Sequence, residues 1–469
     1  MNGYMVFALI ACLAGCRQST PLSTQRIELK LPAVWSVGAS SQSANKEWWR
    51  SFGAPEIEQW VGDAVSHNHD LQIAAIRLER ARTEARMSAF VSRPKLDVSV
   101  SGEKRQSSFI GLPFGGSGIS RSRYENYGTS AGLNWEMDLW GRIRAGHSIA
   151  RTEAKAAKYE LEAARLSIVA EAVRLWVQLA EAQIQERLAG ESVLLLEQTL
   201  LQVELRLNAG RGNALNVQQT RANLSEAKST VVQWRIRSER LARSMELLAG
   251  QTPSGDKRAT TELSDLPSPP SSVPAGIPAE LLTRRADIVA GFVRIHAANL
   301  SIAEADAGLL PRVGLTSSAG TSSDELKRLL NGDSLIWSIG GSLSQTILFP
   351  DEQQARLNSR SLEAEEAVLS YRQKIMTALH EVETALNAGR LLSIQRRHNK
   401  LAVENAQQVL ALTDQRFELG LANAATLLDA QRRLLILHSA LISVRRAELE
   451  NRIDLHLALG GEISVEDAP

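Results

Sequence analysis

The stretch YGTSAGLNWEMDLWGRIRAG, residues 127 to 146, changes its hydrophobic period partway along. Up to Leu139 the odd positions Tyr127, Thr129, Ala131, Leu133, Trp135 and Met137 carry most of the bulk, the pattern of a strand with one apolar face. After Trp140-Gly141-Arg142, apolar residues recur at three- and four-residue steps: Leu166, Val169, Val173, Trp176, Ala180 and Ile184, then Val193, Leu196, Leu200, Val203 and Leu207. That spacing keeps one narrow seam against a partner helix. Between Gly146 and Asn208 there is no proline and one interior glycine, Gly190, so a single helix would reach roughly 90 Å at ~1.5 Å per residue. No globular core can house such a rod.

The switch occurs twice. Leu335, Trp337, Ile339, Leu343 and Ile347 alternate, the chain passes Phe349-Pro350-Asp351, and Val368, Tyr371, Ile375, Ala378, Val382 and Ala385 take up the seam spacing. An offset of 210 pairs Leu343 with Leu133, Arg416 with Arg206, Gly420 with Gly210 and Gly460 with Gly250, while earlier in each half an offset of 217 pairs Asp287 with Asp70 and Pro311 with Pro94. The halves are copies. Their difference in length falls between Lys104 and Tyr124, where GLPFGGSGIS reads as a hairpin loop and added residues cost little.

Residues 1–15 read as a signal peptide: MVFALIACLAGC is apolar, too short to span a bilayer, and ends in small residues, although no Lys or Arg precedes it. Leu13-Ala14-Gly15-Cys16 looks like a bacterial lipobox, which makes Cys16 the expected lipid attachment site and the first mature residue. Cys12 leaves with the signal, so the mature chain holds no disulfide and no thiolate metal site. Residues 16–60 form an extended N-terminal segment ending in Trp48-Trp49 and Phe52, 61–250 the first repeat, 251–278 a proline-rich linker, and 279–469 the second repeat.

With 469 residues, formal net charge +1 and 44% hydrophobic residues, the balance excludes a strongly basic nucleic-acid binder and a disordered tail. No stretch after residue 16 is apolar for 18 residues, so transmembrane helices are not expected. The strands can still cross a bilayer, provided they close into a barrel that leaves no backbone group unpaired. About four strands per chain fall short of the roughly eight that a single-chain barrel needs, so spanning strands must be shared between chains. A long antiparallel coiled coil capped by a small sheet is the alternative on periodicity alone. No Gly-rich phosphate loop, G-x-S-x-G or CxxC is present, and His67 and His69 are two apart on a helix and point away from each other, so neither enzyme nor metal centre is expected.

Glu47-Trp48-Trp49, NHDL at 68–71, LNWEMDLWGRIRAG at 133–146, LLTRRADIVAGFVRIHAANLSIAEADAGLLPRVGL at 281–315, LHEVETALNAGR at 379–390 and RFELGLANAATLLDAQRRLL at 416–435 together resemble the TolC-like outer-membrane efflux proteins, in their lipid-anchored NodT/OprM branch. The resemblance implies a homotrimer with four strands per chain in a shared twelve-stranded β-barrel, a long α-helical periplasmic tunnel, and two tandem repeats. It implies an exit duct of a tripartite pump, lipid-anchored in the outer membrane, with a periplasmic adaptor protein and an inner-membrane transporter of the resistance-nodulation-division type as partners. No cofactor beyond the lipid on Cys16 is implied. A type I secretion outlet, a metal-efflux outlet and a non-conducting structural lipoprotein are the alternatives. Arg285-Ala286-Asp287 departs from the family's Arg-Pro-Asp, which weakens a helix-start signal but leaves Asp287 able to cap.

The same resemblance implies a closed periplasmic mouth lined by Asp429, with Thr426 one turn before it and Arg432 one turn after, against uncharged Asn216 and Gln219 in the first copy. Converging carboxylates would repel one another and prefer cations. Without the resemblance, Asp429 and Arg432 read as an i,i+3 surface pair. The turns containing Gly210 and Gly212, and Gly420, are the expected adaptor-contacting tips.

Overall fold

The computed structural model describes residues 31–36, 47–109, 120–255, 275–346 and 351–460. A 3-10 turn, Trp48–Phe52, precedes helices α1 (Pro55–His67) and α2 (His69–Phe90). Strands β1 (Lys95–Phe109) and β2 (Ser120–Met137) lead into helices α3 (Arg142–Asn208) and α4 (Ala214–Leu248). The second half repeats the order with α5 (Ala286–Ala307), β3 (Arg312–Ser323), β4 (Leu335–Ser344), α6 (Asp351–Glu418) and α7 (Ala424–Ala458). Subtracting 217 lays α5 on α2 end to end, and subtracting 210 does the same for α7 on α4, so the duplication read from the sequence is a duplication of elements.

The repeats also share a joint that the sequence conceals. Asn68 is buried between α1 and α2, accepts from the Leu71 amide at 3.0 Å, and donates its side-chain amide to the Leu248 carbonyl at the end of α4 (2.9 Å). At the corresponding place in the second repeat, Arg285 donates to the Ala458 carbonyl at 3.0 Å. Gly250 and Gly460 follow at positive φ, and a Cβ on either would press into the backbone of His67 or Arg285. Each repeat thus ends by tucking a glycine turn against the start of its own first long helix. Asp287 does contribute to the α5 start, accepting from the Ile288 amide at 2.9 Å and pairing with Arg285.

The compact units do not follow the repeats. Among the described residues one unit comprises Glu79–Lys155 and Val293–Ser370, and the other takes the remaining parts of both halves. The first unit holds a four-stranded antiparallel sheet in the order β1-β2-β3-β4, so one strand of each repeat forms the central pair and β1 and β4 are left as edges. The register puts Leu96 opposite Leu133, Val98 opposite Ala131, Ala131 opposite Ala319, and Ala319 opposite Trp337. Directly paired residues share a face, so one side is mainly apolar, interrupted by Thr129, Ser317 and Thr321, while Ser99, Ser130, Ser318 and Ser338 line the other. Gly320 keeps β2 and β3 close, because a Cβ there would lie 1.9 Å from the Thr129 carbonyl oxygen. Near the helix-bearing end of the sheet, Trp135 and Trp140 donate to the carbonyls of Ser92 (3.0 Å) and Pro311 (2.7 Å).

Two sequence expectations are corrected. Strand β2 begins at Ser120, seven residues before the alternation becomes visible, and β1 continues to Phe109. The added length is charged and polar, so it carries no period-two apolar signal although its backbone is fully paired. Second, α5 is long and apolar enough by length and composition to cross a membrane, with mean hydropathy 1.2. Asp287, Arg294 and Glu304 interrupt its apolar residues, which is why no continuous run stands out, and Ile288, Val289 and Ala290 are buried.

In the second unit Trp48, Phe52, Ile57 and Val61 pack against α3 residues Val169, Val173, Trp176 and Ala180, with Met245 of α4 and Leu449 and Ile453 of α7. The α3 seam is the predicted one. His456 closes this core, its ring stacked on Trp48 at 4.9 Å between centroids. Burial, reinforced by the Arg452 charge, pushes its pKa down to about 4. The unfolded chain binds a proton near pH 6.5 that the folded chain refuses, so stability is full above that pH and falls as acid approaches pH 4, by about 3 kcal/mol. Thermal melts at pH 7.5 and 4.5 should show His456→Gln losing this part of the acid sensitivity; a variant as acid-sensitive as the parent would exclude the assignment.

Candidate functional site

Where α3 turns into α4 and α6 into α7, the two repeats build the same structure. The Arg211 amide donates to the Arg206 carbonyl (2.9 Å) and the Gly210 amide to the Leu207 carbonyl (2.9 Å). In the second copy Leu421 donates to Arg416 (2.8 Å) and Gly420 to Phe417 (3.0 Å). This paired 6→1 and 5→2 pattern needs a left-handed residue, supplied by Gly210 at φ 72° and Gly420 at φ 76°. Asn213 and Asn423 then cap the next helix, accepting from the Leu215 and Thr426 amides. Gly212 is required for space: a Cβ would lie 2.6 Å from the Leu207 nitrogen.

A contact that the sequence does not announce ties one tip to the other. The Arg206 guanidinium lies 3.7 Å from the Phe417 ring centroid and donates to the Phe417 carbonyl at 2.6 Å. Phe417 is buried with Val203, Val217, Ala424 and Leu427, so residues from both copies make one small core at the turns. The corresponding Arg416 is exposed. The available signal was an arginine at the same place in both repeats, but its partner is 211 residues away.

The sequence-predicted mouth residues lie on the first turns of α7. Thr426 donates from both its amide and its hydroxyl to the Asn423 side chain at 2.8 Å, which places it within the cap. Asp429 accepts from Arg432 at 3.1 Å, and both side chains are exposed while Leu427 and Leu428 on the opposite side are buried. In a single chain the pair is therefore a solvent-facing i,i+3 ion pair. Gln219, at the position equivalent to Asp429, is exposed and uncharged, so the two tips differ in charge. Arg432 also borders a cavity of about 370 Å³ among α3, α4 and α7, with Trp234 and Gln431 in its wall. Gln431 is anchored there by donating to the Thr199 hydroxyl at 3.0 Å.

Farther along α7, two buried carboxylates hold it to its neighbours. Glu181 of α3 pairs with Arg446 at 2.8 Å and accepts from Ser443, and Glu448 pairs with Arg396 of α6 at 2.9 Å. His67 Nδ1 donates locally to the Asp63 carbonyl (3.1 Å), and among the described residues no three His, Cys, Asp or Glu side chains converge in a metal-binding group. Cys16 lies outside the described residues.

The family model of the outer membrane efflux proteins matches residues 60–250 and 277–461. The toluene efflux pump outer membrane protein TtgF of Pseudomonas putida is 28% identical over 98% of this chain and 96% of its own length. The cation efflux system protein CusC of Escherichia coli is 26% identical over 97% of each. Among solved structures, the outer-membrane channel OprN superposes with a TM-score of 0.83 at 26% identity, covering 92% of this chain and 98% of that one.

Replacing Arg206 by alanine should lower thermal stability by about 1–3 kcal/mol, since it removes both the ring contact and a charged hydrogen bond. Arg206→Lys keeps the charge but loses the planar fit and should recover only part; full recovery in melting experiments would mean that charge alone matters.

Proposed function

We propose, for a chain that belongs to the outer membrane efflux protein family, that three copies form the passive exit duct of a tripartite efflux pump in the outer membrane of a Gram-negative bacterium. The observation that carries this reading is the open sheet: four strands, one mainly apolar face, and two edges without a partner among the described residues. Hydrocarbon admits no open edge, and four strands are too few to close, so β1 of one copy would pair with β4 of the next to give twelve strands. The chain supplies no energy-coupling chemistry of its own; a periplasmic adaptor and an inner-membrane transporter, of the resistance-nodulation-division type, would supply it. Acylated Cys16 would hold each copy to the lipid.

In the trimer the turns at Gly210, Gly212 and Gly420 form the end that meets the adaptor. Three Asp429 carboxylates would converge there, flanked by Thr426, with Arg432 offsetting their repulsion by ion pairs that hold the duct closed. Gln219 puts no carboxylate at the equivalent place on the other hairpin, so the partner's movement would be resisted mainly at the second copy. The cargo follows from the transporter: relatives of nearly equal similarity are named for toluene and for cations.

Reconstituted protein should migrate as a heat-sensitive trimer and conduct ions across planar bilayers; a monomer that conducts nothing would leave only a structural lipoprotein. Asp429→Ala should raise single-channel conductance and admit large antibiotics, whereas unchanged conductance and exclusion would remove Asp429 from the gate.

A further inference from the structure

The apolar face of the sheet has a measurable height. From Met137 to Tyr127 is ten residues of β2, about 34 Å along the strand and about 26 Å when tilted by ~40°, which matches the ~25 Å apolar band of a membrane barrel. The register shows what the same face carries beyond Tyr127. Tyr127 lies opposite Gly102, then Glu125 opposite Lys104, Arg123 opposite Gln106, and Arg121 opposite Ser108. These are continuations of the line that runs through Leu96, Val98 and Val100, so Lys104, Arg123 and Arg121 project on the apolar side, past its far edge.

Their charges are only partly cancelled. Glu125 pairs with Lys104, and Arg123 donates to the neutral Gln106 at 3.0 Å. Among the described residues no carboxylate pairs with Arg121 or Arg123, so three cations face one anion and two positive charges are left over. The hairpin end formed by β3 and β4 differs: Lys327 and Arg328 there share Glu325 at 3.1 and 3.2 Å. Glu103 and Arg105 point to the opposite side of the sheet, as their register positions require.

We propose that Arg123, Arg121 and Lys104 form a binding site for the phosphate of a lipid headgroup in the leaflet that meets the far end of the sheet. The proposal rests on the membrane-spanning reading above. Headgroups occupy roughly 5–8 Å beyond the hydrocarbon on each side. Lys104 and Glu125 stand at about 5 Å on the same tilt, Arg123 at about 10 Å and Arg121 at about 16 Å, so Arg123 reaches back into the headgroup layer and Arg121 meets it from its outer side. Arginine suits the task because its planar fork binds phosphate oxygens in pairs, and a desolvated boundary strengthens each bond. A lipid so held would present its acyl chains to Val100 and Val98, which are otherwise exposed apolar residues.

The test uses the full-length protein in detergent, bisphosphorylated lipid A as the probe, and native mass spectrometry to measure retained lipid. The double variant Arg121→Gln/Arg123→Gln should lose affinity about fivefold per arginine, or about 25-fold in all, while the corresponding double lysine variant recovers most of it. Monophosphoryl lipid A should bind more weakly than the bisphosphorylated form. Equal retention by parent and glutamine variant would overturn the proposal, as would full displacement of the lipid by millimolar inorganic phosphate, which would make the site one for free anions. Single-channel recordings separate the two levels of inference: unchanged lipid retention in a variant that still conducts sinks the lipid site alone, whereas a parent protein that neither inserts nor conducts removes the membrane reading and this site with it.

Discussion

Backbone amides and carbonyls that find no partner among the described residues, at the edges of β1 and β4, are the constraint from which the rest of this molecule follows. In water such edges are a hazard; in hydrocarbon each unsatisfied group costs several kcal/mol, and a ring of strands is the way out. A sheet of four cannot curl on itself, so in the proposed barrel completeness comes from other copies. The duplicated architecture then makes sense as supply. Each repeat contributes one hairpin to the sheet and one long helical hairpin to the remainder, and the central β2–β3 pair joins the two contributions within a chain.

Copies need not stay equal, and the helical turns show one such difference. The turns keep their glycines and their capping asparagines. What differs is the returning helix just past its first turn, where α7 has Asp429 and Arg432 at the places of Gln219 and Ala222 in α4, together with the use of the arginine before each turn. Arg206 is engaged with Phe417 while Arg416 is exposed. The cation–π contact and its hydrogen bond therefore lean one hairpin on the other rather than each on itself.

How much of this could be read from residues alone depends on the range of the signal. Period and offset are short-range or repeated, and they gave the helices, the strand cores at Leu96 to Val100 and at Leu133 to Met137, and the glycine turns. The far halves of β1 and β2 were invisible because Lys104, Arg121 and Arg123 suppress the alternation that marks a strand. The Arg206 contact was invisible because nothing local specifies a partner across the chain. Asp429 and Arg432 stood out through family resemblance; taken by themselves they form an ordinary surface pair, and their geometry in one chain is just that.

The joint that closes each repeat carries a last consequence. A buried amide, Asn68, holds the Leu248 carbonyl in one half, whereas in the other a guanidinium shared among Asp287, Glu381 and the Ala458 carbonyl does the same work. A neutral clasp is indifferent to dissolved ions, but a partly exposed ionic one is screened by them. The two halves therefore respond unequally to ionic strength: brine slackens the clasp of the second half and spares that of the first.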